Sequence, residues 1–157
     1  MAFAPSPSTP RQHVHGFTLI EMLVVLGIIA LLATLVAPQV LRYLSKAKTD
    51  TAAAQLKNLQ GAIELYSFDT GRYPSPEDGL ASLLSPPADS SGWNGPYLRS
   101  PEGLRDPWNR AFTYRYPGSH GDYDLFSYGL DGTEGGEGEN GDVTSWQSLT
   151  DRSSAEQ

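Results

Sequence analysis

From Phe17 to Ala37 the chain reads FTLIEMLVVLGIIALLATLVA, 21 residues with one charge, Glu21. At about 1.5 Å of rise per residue this makes a helix of about 32 Å, enough to cross the hydrocarbon of a bilayer. The run is longer than the apolar core of a secretory signal peptide, and no small-x-small cleavage site ends it. It reads as a retained membrane helix; the alternative is a buried helix of a soluble protein. Residues 1–16, MAFAPSPSTPRQHVHG, hold three prolines and a single formal charge, Arg11. They suit neither helix nor core and read as a flexible extension or a removable leader. Charge does not orient the span. Arg42, Lys46, Lys48 and Lys57 follow it with only Asp50 among them, so a literal positive-inside count would put the C-terminal side in the cytoplasm.

Beyond Pro38 the uniform apolar run becomes periodic. Val40, Leu44, Ala47, Thr51, Leu56, Leu59, Ile63 and Tyr66 recur mostly at three- and four-residue steps, predicting one apolar helical face. Pro38 is expected to bend or loosen the helix without ending it. The helix should run from about Thr18 to Asp69 and stop at Thr70-Gly71, with Pro74 close behind. Residues 71–146 then form a small head on this spine, and 147–157 a polar tail. Pro76–Leu84 fits a short helix with Leu80, Leu83 and Leu84 facing the core. AFTYRYP (111–117) and DYDLFSYG (122–129) alternate as a hairpin around an SHG turn, and Val143–Trp146 suits an edge strand. The expected class is α+β: a long N-terminal helix, one short extra helix and an antiparallel sheet of about three strands.

Composition removes several functions. With no cysteine, disulfides, thiolate catalysis and zinc-thiolate sites are excluded. Eleven Lys+Arg against 18 Asp+Glu give a net charge of -7, which argues against nucleic-acid binding through phosphate neutralisation. Ten aromatic residues between Trp93 and Trp146 read first as core, with His120 in the hairpin turn. No nucleophile elbow or convergent acid–base pair points to an enzyme.

Two constellations carry chemistry. Glu21 is a carboxylate inside an apolar helix, which either faces headgroups or needs a cation at its own depth. No Lys or Arg lies between Phe17 and Leu41. Cleavage after Gly16 would create a cation, the α-amine of Phe17, in the same chain or a neighbour. The second is DGTEGGEGENGD (131–142), with five acidic residues, five glycines and no base. Hard oxygens on a glycine loop suit calcium, although Thr133 and Gly135 break the helix-loop-helix pattern. A solvated acidic loop is the alternative. Asp131 and Asp142 are best placed as ligands, one expected to end the sheet strand and the other to begin the next segment.

The junction Gly16-Phe17-Thr18-Leu19-Ile20-Glu21, the apolar run and Pro38 resemble the class III signal of type IV pilins and pseudopilins. Thr70-Gly-Arg-Tyr-Pro74, Trp93-x-Gly-Pro-Tyr-Leu98, Asp106-Pro-Trp108, the Pro117-Gly-x-His-Gly121 turn and Ser127-x-Gly-x-Asp-Gly132 narrow the likeness to the major pseudopilins of type II secretion. So does the stretch from Gly135 to Asp142 and Trp146. The resemblance covers roughly residues 16–146.

That resemblance implies cleavage between Gly16 and Phe17 by a prepilin peptidase, which also N-methylates Phe17. It implies a cytoplasmic leader, residues 1–16, a single inner-membrane span, 17–37, and an amphipathic half-helix, 38–70, below a periplasmic head. Glu21 would pair with the Phe17 amine of an adjacent subunit, and Pro38 belongs to the assembly helix. The implied partners are other copies in a homopolymer, minor pseudopilins, the inner-membrane assembly platform and, before assembly, membrane lipid, with no nucleic acid. Calcium is implied at Asp131 and Asp142, with the Tyr128 carbonyl and, more weakly, Asn140, which stands near a usual aspartate. Asn109 replaces the usual glycine after Asp-Pro-Trp; Asn tolerates a left-handed backbone, so the turn should survive. A pilin of a type IV pilus or DNA-uptake system is the alternative, but would more often carry a C-terminal disulfide loop.

Overall fold

The computed structural model describes residues 16–89 and 91–147, so nearly all of the leader and tail lie outside it. The chain divides into two compact units, residues 1–40 and 41–157. One helix, α1 (Leu19–Thr70), contributes to both and carries Pro38 within it. Its boundaries fall one residue from those expected at each end.

In the first unit α1 is apolar on every side apart from Glu21 in its first turn. Its most apolar 18-residue window has a mean hydropathy of 2.8, and none of that window is buried within the chain. A helix without a polar face has no side to turn to water, which distinguishes a span from an ordinary amphipathic helix.

The second unit is built on the last turns of α1. Ala52, Ala53, Leu56, Leu59, Ala62, Ile63 and Tyr66 are buried there. They meet Leu83, Phe112, Leu125 and Val143 from the rest of the chain. Burying each large member removes apolar surface worth about 1.5–3 kcal/mol. The apolar face is shorter than its sequence periodicity suggests: Val40, Leu44, Ala47 and Thr51 are exposed. Thr51 bonds back to the Ala47 carbonyl at 2.7 Å. Among the described residues the core partners reach α1 only from Ala52 onward, so the periodicity ahead of Ala52 marks a face that they leave uncovered. At the other end Gly71 takes φ 72° and its N–H donates to the Ser67 carbonyl at 2.8 Å, the left-handed stop that a Cβ would strain.

The expected helix over 76–84 is a 3-10 turn, Gly79–Leu83, with Leu83 buried and Leu80 packed at the core margin. Two further 3-10 turns are Pro101–Leu104, in a stretch given no element in the sequence, and Gly138–Asn140, within the acidic loop. Strands β1 (Thr113–Arg115), β2 (Asp124–Ser127) and β3 (Val143–Thr144) form an antiparallel sheet in the order β1-β2-β3. Each is shorter than its alternating stretch. Tyr114 pairs with Leu125 and Ser127 with Val143 on the face turned to α1.

Most of the aromatic set packs on the core, as its composition suggested, and several of its polar tips are bonded, although Trp108 Nε1 is buried without a partner. Trp93 Nε1 donates to the Ser82 carbonyl at 2.9 Å, Tyr97 OH to Asp69 at 2.8 Å and Tyr114 OH to the Pro74 carbonyl at 3.0 Å. Phe126 and Trp146 lie apart from that core. On the outer face of the sheet Phe126 meets Tyr128, Trp146 and the Arg115 guanidinium, and Trp146 stacks on His120 at 4.0 Å.

Asp124 is 1% exposed. Its carboxylate accepts the backbone N–H groups of Ser119 and His120, both at 2.9 Å, and faces His120 Nδ1 at 3.2 Å. Burial alone would raise its pKa, but these backbone bonds and the imidazole hold it below the usual carboxylate value. Asp124→Ala should therefore cost about 2–4 kcal/mol, leaving two amides of the turn unpaired. A lowered pKa stabilises the fold above the unfolded value of about 3.9 and loses that effect as pH falls through the folded one. In detergent-solubilised full chain, the melting difference between wild type and variant should be full near pH 7 and shrink below about pH 4. A difference that does not change with pH would remove the charge from this account.

Candidate functional site

The first candidate site lies where α1 begins. Gly16, Phe17 and Thr18 precede the helix in non-helical conformation, with nothing within 4 Å of a Cβ placed on Gly16. Thr18 Oγ1 accepts the Glu21 N–H at 3.2 Å, and the Thr18 carbonyl accepts Met22 N–H at 3.2 Å. Thr18 is thus the N-cap, and Thr18-Leu-Ile-Glu21 has the capping-box spacing. Sequence reasoning singled out Glu21 and passed over Thr18, although the T-x-x-E pattern ahead of an apolar run was the available signal. Glu21 lies in the first turn of α1, where the unpaired N–H groups favour a negative charge. Phe17 is exposed. Pro38 has no N–H for the Thr34 carbonyl, one fewer rung inside α1.

The second lies between β2 and β3. Its entrance is fixed from the Asp106–Arg110 turn. Asp106 is buried; Oδ1 accepts the N–H groups of Trp108 at 3.0 Å and Arg110 at 2.9 Å, and Oδ2 accepts the Ser127 hydroxyl at 2.5 Å. Ser127 Oγ in turn accepts the Gly129 N–H at 3.2 Å. Asn109 holds φ 66°, so the left-handed turn survives without glycine, as expected. Asp106 was noticed in sequence only as part of a motif; its role as the junction between turn and strand needed the structure.

Beyond Ser127 the chain turns at Gly129, whose Cα lies so close to the loop exit that a Cβ would meet the Glu139 carbonyl at 2.5 Å and that of Gly141 at 2.9 Å. Strand β2 therefore ends at Ser127, and Asp131 does not terminate it as expected. Asp131 is exposed and Oδ1 accepts the Thr133 N–H at 3.1 Å, a turn closed on its own side chain. Asp142 directly precedes β3 as expected. Its Oδ2 accepts the Gly135 N–H at 3.0 Å, while Oδ1 is buried without a partner. The Tyr128 carbonyl accepts the Gly132 N–H at 3.2 Å, and Asn140 N–H donates to the Glu137 carbonyl at 3.1 Å. The Asn140 side chain belongs to an exposed residue of the Gly138–Asn140 turn.

Among the described residues no group of three or more His, Cys, Asp or Glu side chains is gathered to hold a metal. The loop holds one buried carboxylate oxygen lacking a donor, Asp142 Oδ1, and the Glu139 and Gly141 carbonyls stand close to Gly129. An unpaired buried carboxylate oxygen is costly, and a hard cation with mixed carboxylate and carbonyl ligands is the chemistry that relieves it.

A profile of the family described as "Type II secretion system (T2SS), protein G" matches residues 39–146. One described as "Prokaryotic N-terminal methylation motif" matches residues 11–37. The type II secretion system core protein G of Pseudomonas aeruginosa is 38% identical over 141 residues, covering 87% of this chain and 97% of that protein. The protein of the same name from Vibrio cholerae is 36% identical, covering 83% and 90%. The crystal structure of the major pseudopilin from the type 2 secretion system of enterohaemorrhagic Escherichia coli superposes with a TM-score of 0.55 at 28% identity. It covers 65% of this chain and 85% of that one. With two-thirds of its length in the family profile and a methylation motif ahead of it, this chain belongs to the protein G family of the type II secretion system.

Proposed function

We propose that the chain is a non-catalytic structural subunit of a type II secretion pseudopilus, polymerising into a helical filament that drives folded proteins across the outer membrane. The carrying observation is the first half of α1, in which the most apolar window has no burial inside the chain. Such a surface needs lipid before assembly and other copies of the chain afterwards. The prepilin peptidase cuts between Gly16 and Phe17, which lie outside the helix, and methylates the Phe17 amine. The leader faces the cytoplasm, the span crosses the inner membrane and residues 71–146 lie in the periplasm. Minor pseudopilins and the assembly platform are the other partners.

Glu21 and the Phe17 amine of an adjacent subunit form the register contact. In hydrocarbon each charge alone is expensive, so the pair is satisfied only when copies align. Thr18 keeps the helix start in place while Glu21 points its charge outward from the capped turn. Glu21→Ala should leave cleavage and methylation intact, read from the mass of the mature chain, and abolish filaments in sheared-cell preparations. A normal filament yield from the variant would remove the register role.

Calcium at the 128–142 loop belongs to the same reading. Asp142 and Asp131 are the proposed carboxylate ligands, with the Tyr128 carbonyl and Asn140 as lesser ones; the unpartnered Asp142 Oδ1 supports the assignment. The ion would add positive charge beside five acidic residues and hold β3 to its neighbour. Calcium at 100 times its dissociation constant should stabilise the full chain by about 2.7 kcal/mol. Melting of the solubilised chain in calcium and in chelator should show that shift in wild type and not in Asp142→Ala. Identical melting of wild type in both conditions would reduce the loop to a solvated surface.

A further inference from the structure

Arg110 is a basic residue set against an acidic loop to which it contributes no ligand. Its backbone is anchored from both sides: N–H to Asp106 Oδ1 at 2.9 Å, and carbonyl from the Asp106 N–H at 2.8 Å. From this fixed base Nη2 donates to the Leu130 carbonyl at 2.8 Å. The guanidinium also packs against Gly132, where a Cβ would run into Nη1 and stand 2.7 Å from Cζ. The same turn holds Ser127, and through it Gly129, by way of Asp106. Residues 127–132 are thus fastened at successive points to the Asp106–Arg110 turn. Thr133–Asp142 is instead held by contacts within the loop, such as Gly135 to Asp142.

We infer that Arg110 is a positioning residue, a metal-independent clasp that fixes the entrance of the acidic loop so that an ion needs to order only residues 133–142. The inference about the entrance stands on the geometry alone; its consequence for calcium rests on the reading that the loop takes that ion. Two opposite expectations separate the clasp from bulk charge. A cation beside five carboxylates repels a second cation, so simple electrostatics has calcium binding tighten when Arg110 is removed. A clasp lowers the cost of ordering the loop, so calcium binding weakens when it is removed. Lysine discriminates further: it keeps the charge but lacks the planar fork that bonds the Leu130 carbonyl while lying on Gly132.

The test uses the full chain in detergent micelles. Hydrogen exchange is read at the Leu130 and Gly132 amides, which donate to the Glu139 and Tyr128 carbonyls. In chelator, Arg110→Ala should speed exchange at both amides by about tenfold or more, the loss expected for one charge-assisted hydrogen bond. Arg110→Lys should speed it as well, despite the retained charge. In a calcium titration followed by melting, the midpoint for Arg110→Ala should move to several-fold higher calcium. Unchanged exchange in chelator would overturn the clasp, and so would a midpoint shifted to lower calcium. If wild type shows no calcium response, the calcium reading fails by itself and the exchange in chelator decides the clasp.

Discussion

A helix of 52 residues offers more apolar surface than the remaining chain can cover, and the rest of the structure follows from that imbalance. Burial begins only at Ala52, where Leu83, Phe112, Leu125 and Val143 come to meet α1. N-terminal to that point Leu41, Tyr43 and Leu44 are exposed, and in the span so is every large apolar residue. Hydrophobic free energy that cannot be gained within one chain remains available to lipid or to other copies. The same helix thus supplies the core of a folded unit at one end and an unsatisfied surface at the other.

The folded unit is small, and buried carboxylates do much of the organising that a larger core would do by packing. Asp124 closes the turn between β1 and β2 with two backbone amides. Asp106 closes the turn before β1 and bonds Ser127 at the end of β2. Each has its acceptors filled by fixed donors, so neither is an uncompensated charge. Asp142 is the exception, with one oxygen paired and the other without a donor. Two fully bonded aspartates and one half-bonded aspartate thus stand in the same unit.

Much of this was legible in the sequence. The apolar run, the Gly71 stop and the alternation in 111–117 and 122–129 each report one local rule, and each was read to within a few residues. Asn109 was read correctly because its left-handed tolerance is a property of the residue. The errors fall where a rule gives a pattern without its extent. Periodicity from Val40 to Thr51 is real, yet among the described residues no partner arrives to bury it. Gly79–Leu83 tightened to a 3-10 turn in a segment whose leucines permit either geometry. Asp131 was placed at a strand end because alternation does not reveal that Gly129 turns the chain against the Glu139 and Gly141 carbonyls.

The acidic loop shows why composition could not decide between an ion site and a solvated surface. Five carboxylates state only that charge must be compensated or dispersed. Whether oxygens converge depends on backbone carbonyls, whose directions are set by the positive φ angles of Gly129, Gly132, Gly135, Gly136 and Gly138. Glycine permits those angles without specifying them. For the entrance, residues 127–132, specification comes from outside the loop, from Ser127 held by Asp106 and from the Leu130 carbonyl held by Arg110. Any ligand capacity of the loop is therefore encoded partly in the Asp-Pro-Trp turn more than twenty residues upstream, where no count of acidic residues would look for it.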